Sequence, residues 1–121
     1  MRAEEQLLGL RPSIEKQSTE FTELELFQNT TLRPILKFQH ELWLMEWQQN
    51  TLFHSVKVLK NESDRRKLLQ SIFSKNMGLI QRYIGMISGF FTTLEYQFYI
   101  SNKNQIDKRI KELLLTRLLS Y

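Results

Sequence analysis

Thr30 to Asn50 reads TTLRPILKFQHELWLMEWQQN, and both the fold and the choice of candidate site depend on how this stretch is read. It places an Arg, a Lys, a His, two Glu and two Trp within about six helical turns. Pro34 has no N–H to donate and pushes Arg33 away from the α region, so a new helix is expected to begin beside it, with Thr30 or Thr31 as its cap. A kinked continuation of the preceding helix is the alternative. Beyond Pro34, apolar residues fall at Ile35, Phe38, Leu42, Met45, Leu52, Val56 and Leu59 in alternating steps of three and four, with Gln49 the single polar member. This predicts one long helix over about 34–60. A second stripe, Leu32, Leu36, His40, Trp43, Trp47 and His54, runs beside it, leaving Arg33, Lys37, Glu41 and Gln48 for solvent.

On the C-terminal side, Asn61-Glu62-Ser63-Asp64 is a cap signal, and Leu69, Phe73, Asn76, Ile80, Tyr83, Ile87, Phe90, Leu94 and Phe98 repeat the helical spacing. A second long helix over about 63–100 follows, again with one polar interruption, Asn76. If the two helices form an antiparallel hairpin, residues whose numbers sum to about 125 share a level. Val56 then meets Leu69, Leu52 meets Phe73, Met45 meets Ile80, Leu42 meets Tyr83, Phe38 meets Ile87, and Gln49 falls opposite Asn76. The spacing therefore predicts a buried polar pair, Gln49 with Asn76, that fixes register as a buried Asn does in coiled coils. Unpaired, such a group costs roughly 1–3 kcal/mol.

Ser101-Asn102-Lys103-Asn104 marks a turn, and Ile106, Ile110, Leu113, Leu114 and Leu118 predict a last helix to about Leu119. Toward the N-terminus, FTELELF at 21–27 suggests a helix capped by Ser18 or Thr19 and ending near Gln28-Asn29. Residues 1–18 have poor periodicity and an Arg11-Pro12 break, so they are expected to form a partly mobile arm ahead of a single domain over 19–121. The fold class is all-α, an antiparallel bundle of about four helices built on the central hairpin. With 41% hydrophobic and 25% charged residues but only 4 Gly and 2 Pro, the composition also favours helices over a turn-rich β fold.

Composition removes several kinds of function. The chain has no Cys, which excludes disulfide scaffolds, thiolate zinc sites and cysteine nucleophiles. His40 and His54 lie 14 residues apart on one predicted helix, a separation of roughly 21 Å, so they cannot share an ion. No Glu-x-x-His pair exists for a carboxylate-bridged metal bundle. A Gly-rich phosphate loop and a Gly-x-Ser-x-Gly elbow are likewise missing. No catalytic residue, metal ligand or cofactor is assigned. The N-terminal MRAEEQLLGLRP is too acidic for a signal peptide, and no apolar run reaches the roughly 18 residues of a membrane span, so a cytoplasmic protein is expected.

Net charge is +4, but residues 1–30 carry 3 basic and 6 acidic groups while residues 31–121 carry 14 and 7. The basic groups cluster as Lys57, Lys60, Arg65, Arg66 and Lys67 at the hairpin turn and as Lys103, Lys108, Arg109 and Lys111 at the opposite end. They form no single stripe, so solvated helix ends are favoured over nucleic-acid binding. Gly78, Gly85 and Gly89 share one helical face with Arg82. Each costs roughly 1 kcal/mol against Ala, which argues for close approach of a neighbour there.

The run Phe27-Gln28-Asn29-Thr30-Thr31-Leu32-Arg33-Pro34-Ile35-Leu36-Lys37-Phe38-Gln39-His40-Glu41-Leu42 resembles one found in small, all-helical, functionally uncharacterised bacterial proteins of this length. The tail, from Glu95-Tyr96 through Ile110 to Arg117-Leu118, looks similar to theirs as well. Some of those proteins are called glyoxalases. Glyoxalases of the vicinal-oxygen-chelate kind are βαβββ metalloenzymes, whose strands and ligand set this sequence does not contain, so the resemblance transfers no activity and no site residues.

The expected function is therefore non-catalytic and exercised through protein–protein contacts, with a homodimer as the leading form. The candidate interface or groove comprises Trp43, Trp47, His54, Gly85, Gly89, Leu115 and Leu119, the last two lying outside the main stripe of the last helix. The alternatives are a nucleic-acid accessory protein and a bundle holding a small ligand against Trp43, Trp47 and the glycines.

Overall fold

A computed structural model describes residues 4–10 and 22–120. Within them the chain is all-α, with no strand. The segments are α1 (Glu4–Gly9), α2 (Glu23–Phe27), a π-helical turn (Gln28–Leu32), α3 (Arg33–Phe38), α4 (His40–Gln49), α5 (Phe53–Lys57), α6 (Glu62–Lys75), α7 (Met77–Ser88), α8 (Thr93–Ser101) and α9 (Lys103–Leu119). The expected arm thus contains a helical turn, while its remainder and the predicted caps Ser18 and Thr19 lie outside the described residues. Thr22 caps α2 instead, its hydroxyl accepting the Glu25 N–H at 3.1 Å.

Pro34 does not restart the helix. Its missing N–H would leave a gap in the α-helical ladder, and the chain answers by widening one turn, so that the Arg33 N–H reaches back five residues to the Gln28 carbonyl. Thr30 bonds the Leu26 carbonyl through its hydroxyl at 2.6 Å, and Thr31 donates to Glu95 at 2.8 Å, so neither caps a new helix. The kinked continuation is the form observed.

Each predicted long helix is divided. The first bends at Gln39 (φ −93°, ψ 9°) and stops at Asn50, where extended backbone and an Asn50 side chain bonded to the Leu52 N–H form a turn before α5. The second breaks at Asn76 (φ −114°, ψ 72°) and again after Gly89. There Thr92 and Glu95 form a reciprocal capping box that opens α8. Asn61 begins α6 as expected, accepting the Ser63 N–H at 2.7 Å.

The inward face of α3 and α4 is the second stripe, Leu32, Leu36, Trp43 and Trp47, which keeps its helical spacing across the bend. Trp43 and Trp47 are fully buried, as are Leu32 and Leu36 before the bend. Phe38, Leu42 and Met45, expected in the core, are 47%, 57% and 61% exposed. Leu42 and Met45 therefore do not turn inward on Tyr83 and Ile80, although the Gln39–Met86 hydrogen bond sets α4 and α7 at the expected level. Gln49 is exposed and Asn76 occupies a helix junction, so the predicted buried register pair is absent too. Burying two indoles removes more apolar surface than burying a Leu and a Met, and the rolled helix is the favoured one.

The core gathers around α9, which packs against α6, α7 and α8. Ile106, Ile110 and Leu114 are fully buried there, and Leu115, Leu118 and Leu119 nearly so. Phe27 stacks edge-on with Phe91 at 5.5 Å, tying α2 to the turn before α8.

Candidate interaction face

Turning Trp43 and Trp47 inward sends Leu42 and Met45 outward on successive turns of α4. Phe38, one turn earlier, stacks on Phe90 with ring centroids 5.1 Å apart and extends the same face to the end of α7. Gln39 crosses beneath it, donating from Nε2 to the Met86 carbonyl at 2.9 Å and fixing α7 alongside the bend. The result is a contiguous apolar surface of Phe38, Leu42, Met45, Met86 and Phe90. Two open depressions meet at Leu42, one of about 620 Å³ toward Lys37 and His40, the other of about 580 Å³ toward Glu46 and Arg82.

The charged groups around this surface carry both signs. Arg82 donates to Glu46 at 2.5 Å, linking α7 to α4. That hydrogen bond holds the Glu46 carboxyl below its ordinary range and raises the Arg82 guanidinium. Both side chains remain solvated, so the link orients more than it stabilises. Glu41, Lys37 and Arg117 complete the rim.

Behind the face lies Tyr83, fully buried, whose hydroxyl has no hydrogen-bond partner among the described residues. Burial, with the Glu46 charge adding to it, pushes the phenol well above its usual value. It is a neutral core group with a desolvated oxygen.

The residues singled out from sequence are dispersed. Trp43 and Trp47 are core; the Trp43 indole donates to the Leu36 carbonyl at 3.1 Å and His40 packs edge-on against it at 4.8 Å. The cavity beside Trp47 measures about 10 Å³, the room of roughly one water, so no small ligand fits there. His54 is exposed on α5 and packs against Phe53 at 5.4 Å. Leu115 and Leu119, 5% and 8% exposed, pack with the core, and Leu115 also lines an open groove of about 400 Å³ between α6 and α9.

Gly85 on α7 and Gly89, which caps its C-terminal end, are exposed. A Cβ at Gly78 or Gly85 would meet nothing within 4 Å, so no neighbour within the described chain makes the close approach expected of them. At Gly89 a Cβ would stand 3.1 Å from the Gly85 carbonyl oxygen.

The basic residues Lys57, Lys60, Arg66 and Lys67 are exposed around the α5–α6 turn. On α9, Arg109 is engaged with Gln28 at 3.0 Å and Lys103 with Asp107 at 2.9 Å. Among the described residues no group of three or more His, Asp or Glu is placed to hold a metal ion, and no helix is long and apolar enough to cross a membrane.

The spacing of Leu42 and Met45 is as regular as that of the Trp stripe and by itself predicts a core position. The signal that separates the two stripes is side-chain size, since the larger aromatic stripe takes the inward side. No protein-family model, curated protein or solved structure matches this chain.

Proposed function

We propose that this chain is a non-catalytic helical protein that works through contact with another protein, and that Phe38, Leu42, Met45, Met86 and Phe90 make the contact. The observation that carries this reading is the 47–61% exposure of Phe38, Leu42 and Met45 as one connected surface. Single exposed apolar residues need no explanation, whereas a connected patch with a polar rim is the usual form of a protein docking site. The Gln39–Met86 hydrogen bond supports it as well, setting α4 beside α7 so that their apolar side chains join.

A photo-cross-linking amino acid at Leu42, with one at the similarly exposed Met77 as control, tests this in cells. The expected result is a discrete protein adduct from Leu42 and none from Met77. Equal, diffuse labelling at both positions would remove the reading.

A second reading, association with nucleic acid, rests on exposed Lys57, Lys60, Arg66 and Lys67. It requires binding of labelled DNA or RNA whose affinity falls steeply with salt. Absence of binding at low salt would eliminate it.

A further inference from the structure

Resting on that docking face, we infer that its occupant is a second copy of this chain, related by a two-fold axis that sets the two Glu46–Arg82 pairs against each other. A two-fold interface places each patch on its own copy, so the patch must be complementary to itself. This one has what that requires. Its rim carries acidic Glu41 and Glu46 beside basic Lys37, Arg82 and Arg117, whereas the exposed groups at the α5–α6 turn are predominantly basic. A single-sign patch would repel its own copy; a mixed one lets Arg82 of each chain face Glu46 of the other.

Shape agrees with charge. Leu42 and Met45 project from α4, while α7 has open ground over Gly78 and Gly85, where an added Cβ would touch nothing within 4 Å among the described residues. Helices pack by setting the ridge of one into the groove of another. Under the two-fold operation, Leu42 and Met45 of each copy lie along the glycine side of α7 in its partner. The closeness those glycines permit, unused within one chain, is then used between two.

Size sets the strength. Residues 37–49 span about 20 Å and two adjacent helices are about 20 Å wide, a footprint of about 400 Å² per copy. Two copies give about 800 Å², less than the roughly 1,200 Å² of a stable complex. The dimer is accordingly weak and reversible, forming as concentration rises from about 10 µM to about 1 mM.

Sedimentation equilibrium on Glu46→Arg, Arg82→Glu and their equimolar mixture tests the inference. At this position the first variant carries two positive charges and the second two negative. The expected result is that each variant alone self-associates at least about tenfold more weakly than wild type, and that the mixture forms a heterodimer at least as tight as the wild-type dimer. Wild type that stays monomeric to about 1 mM, or a dimer indifferent to both charge reversals, overturns the second-copy assignment. If Leu42 nevertheless cross-links to a different polypeptide in cells, the docking face survives with another occupant. If Leu42 gives no discrete adduct and the chain is monomeric, both readings fall.

Discussion

The Trp43 indole N–H donates to the Leu36 carbonyl at 3.1 Å, across the bend at Gln39. This bond joins α3 to α4 across the bend, between two members of one buried stripe. It satisfies the indole in a buried position and locks the roll that leaves Leu42 and Met45 outside. The apolar face is thus a consequence of where the two Trp residues went.

The roll predicts opposite costs for neighbouring residues. Trp43→Ala should lose about 3–5 kcal/mol of stability, the usual penalty for emptying a buried aromatic site. Met45→Gln, on the same helix but outward, should stay within about 0.5 kcal/mol. Urea denaturation followed by circular dichroism measures both. Equal losses would place Met45 in the core after all.

The Glu95 carboxylate holds three elements together, accepting the Thr92 N–H and the Thr31 hydroxyl, each at 2.8 Å. Glu95→Ala removes half of a capping box and leaves the buried Thr31 hydroxyl unpaired, for an expected loss of about 2–4 kcal/mol. Thr31→Val with Glu95→Ala should cost less than the two singles added, because the second change removes the orphaned group. Strict additivity in the double-mutant cycle would show that the two do not interact.

Tyr83 predicts an alkaline effect with a definite sign. Its folded-state phenol titrates above its unfolded value, so the neutral form contributes stability below about pH 10 that is lost as pH rises above it. Tyr99 acts in the same direction, through burial and its bond to Asp107 at 2.6 Å. Each phenol contributes up to about 1.4 kcal/mol per pH unit in that window. Tyr83→Phe should be neutral or stabilising at pH 7, since the removed hydroxyl has no partner, and should flatten the decline above pH 10. Thermal melts of both proteins from pH 7 to 11 would show it. An unchanged alkaline slope would mean that Tyr83 is solvated.

Gly85 lies in an exposed helix interior with room for a side chain. Gly85→Ala should raise stability by about 0.5–1 kcal/mol. Gly89→Ala should gain less, because its Cβ would crowd the Gly85 carbonyl at 3.1 Å. Both are read by denaturation at low protein concentration, where self-association makes no contribution. A loss at Gly85 would indicate a neighbour close enough to feel the added methyl group.

The helical class was legible because alternating steps of three and four run through most of the chain and the cap at Asn61 stands out. The breaks were not, and for local reasons. Asn76 fits a helix-spaced stripe as a polar interruption, yet its backbone leaves the helix. The π-turn depends on how the chain accommodates one missing N–H at Pro34, which spacing does not encode. The candidate face was hidden for a different cause: Leu42 and Met45 are as regular as any core stripe, and only the larger side chains of the neighbouring Trp stripe decide which of the two turns inward. Leu115 and Leu119 lie outside the main stripe of the last helix, and their burial follows from α9 packing against α6, α7 and α8 at once.

The most direct test of the outward face uses methionine methyl NMR with a soluble paramagnetic probe, because Met45 and Met77 are similarly exposed, 61% and 54%, but lie on different faces. In dilute solution both methyls should broaden strongly. As protein concentration rises, Met45 should become protected while Met77 stays accessible. A Met45 methyl already shielded in dilute solution would contradict the fold of α4, and equal behaviour of the two methyls at every concentration would contradict docking of this chain on that face.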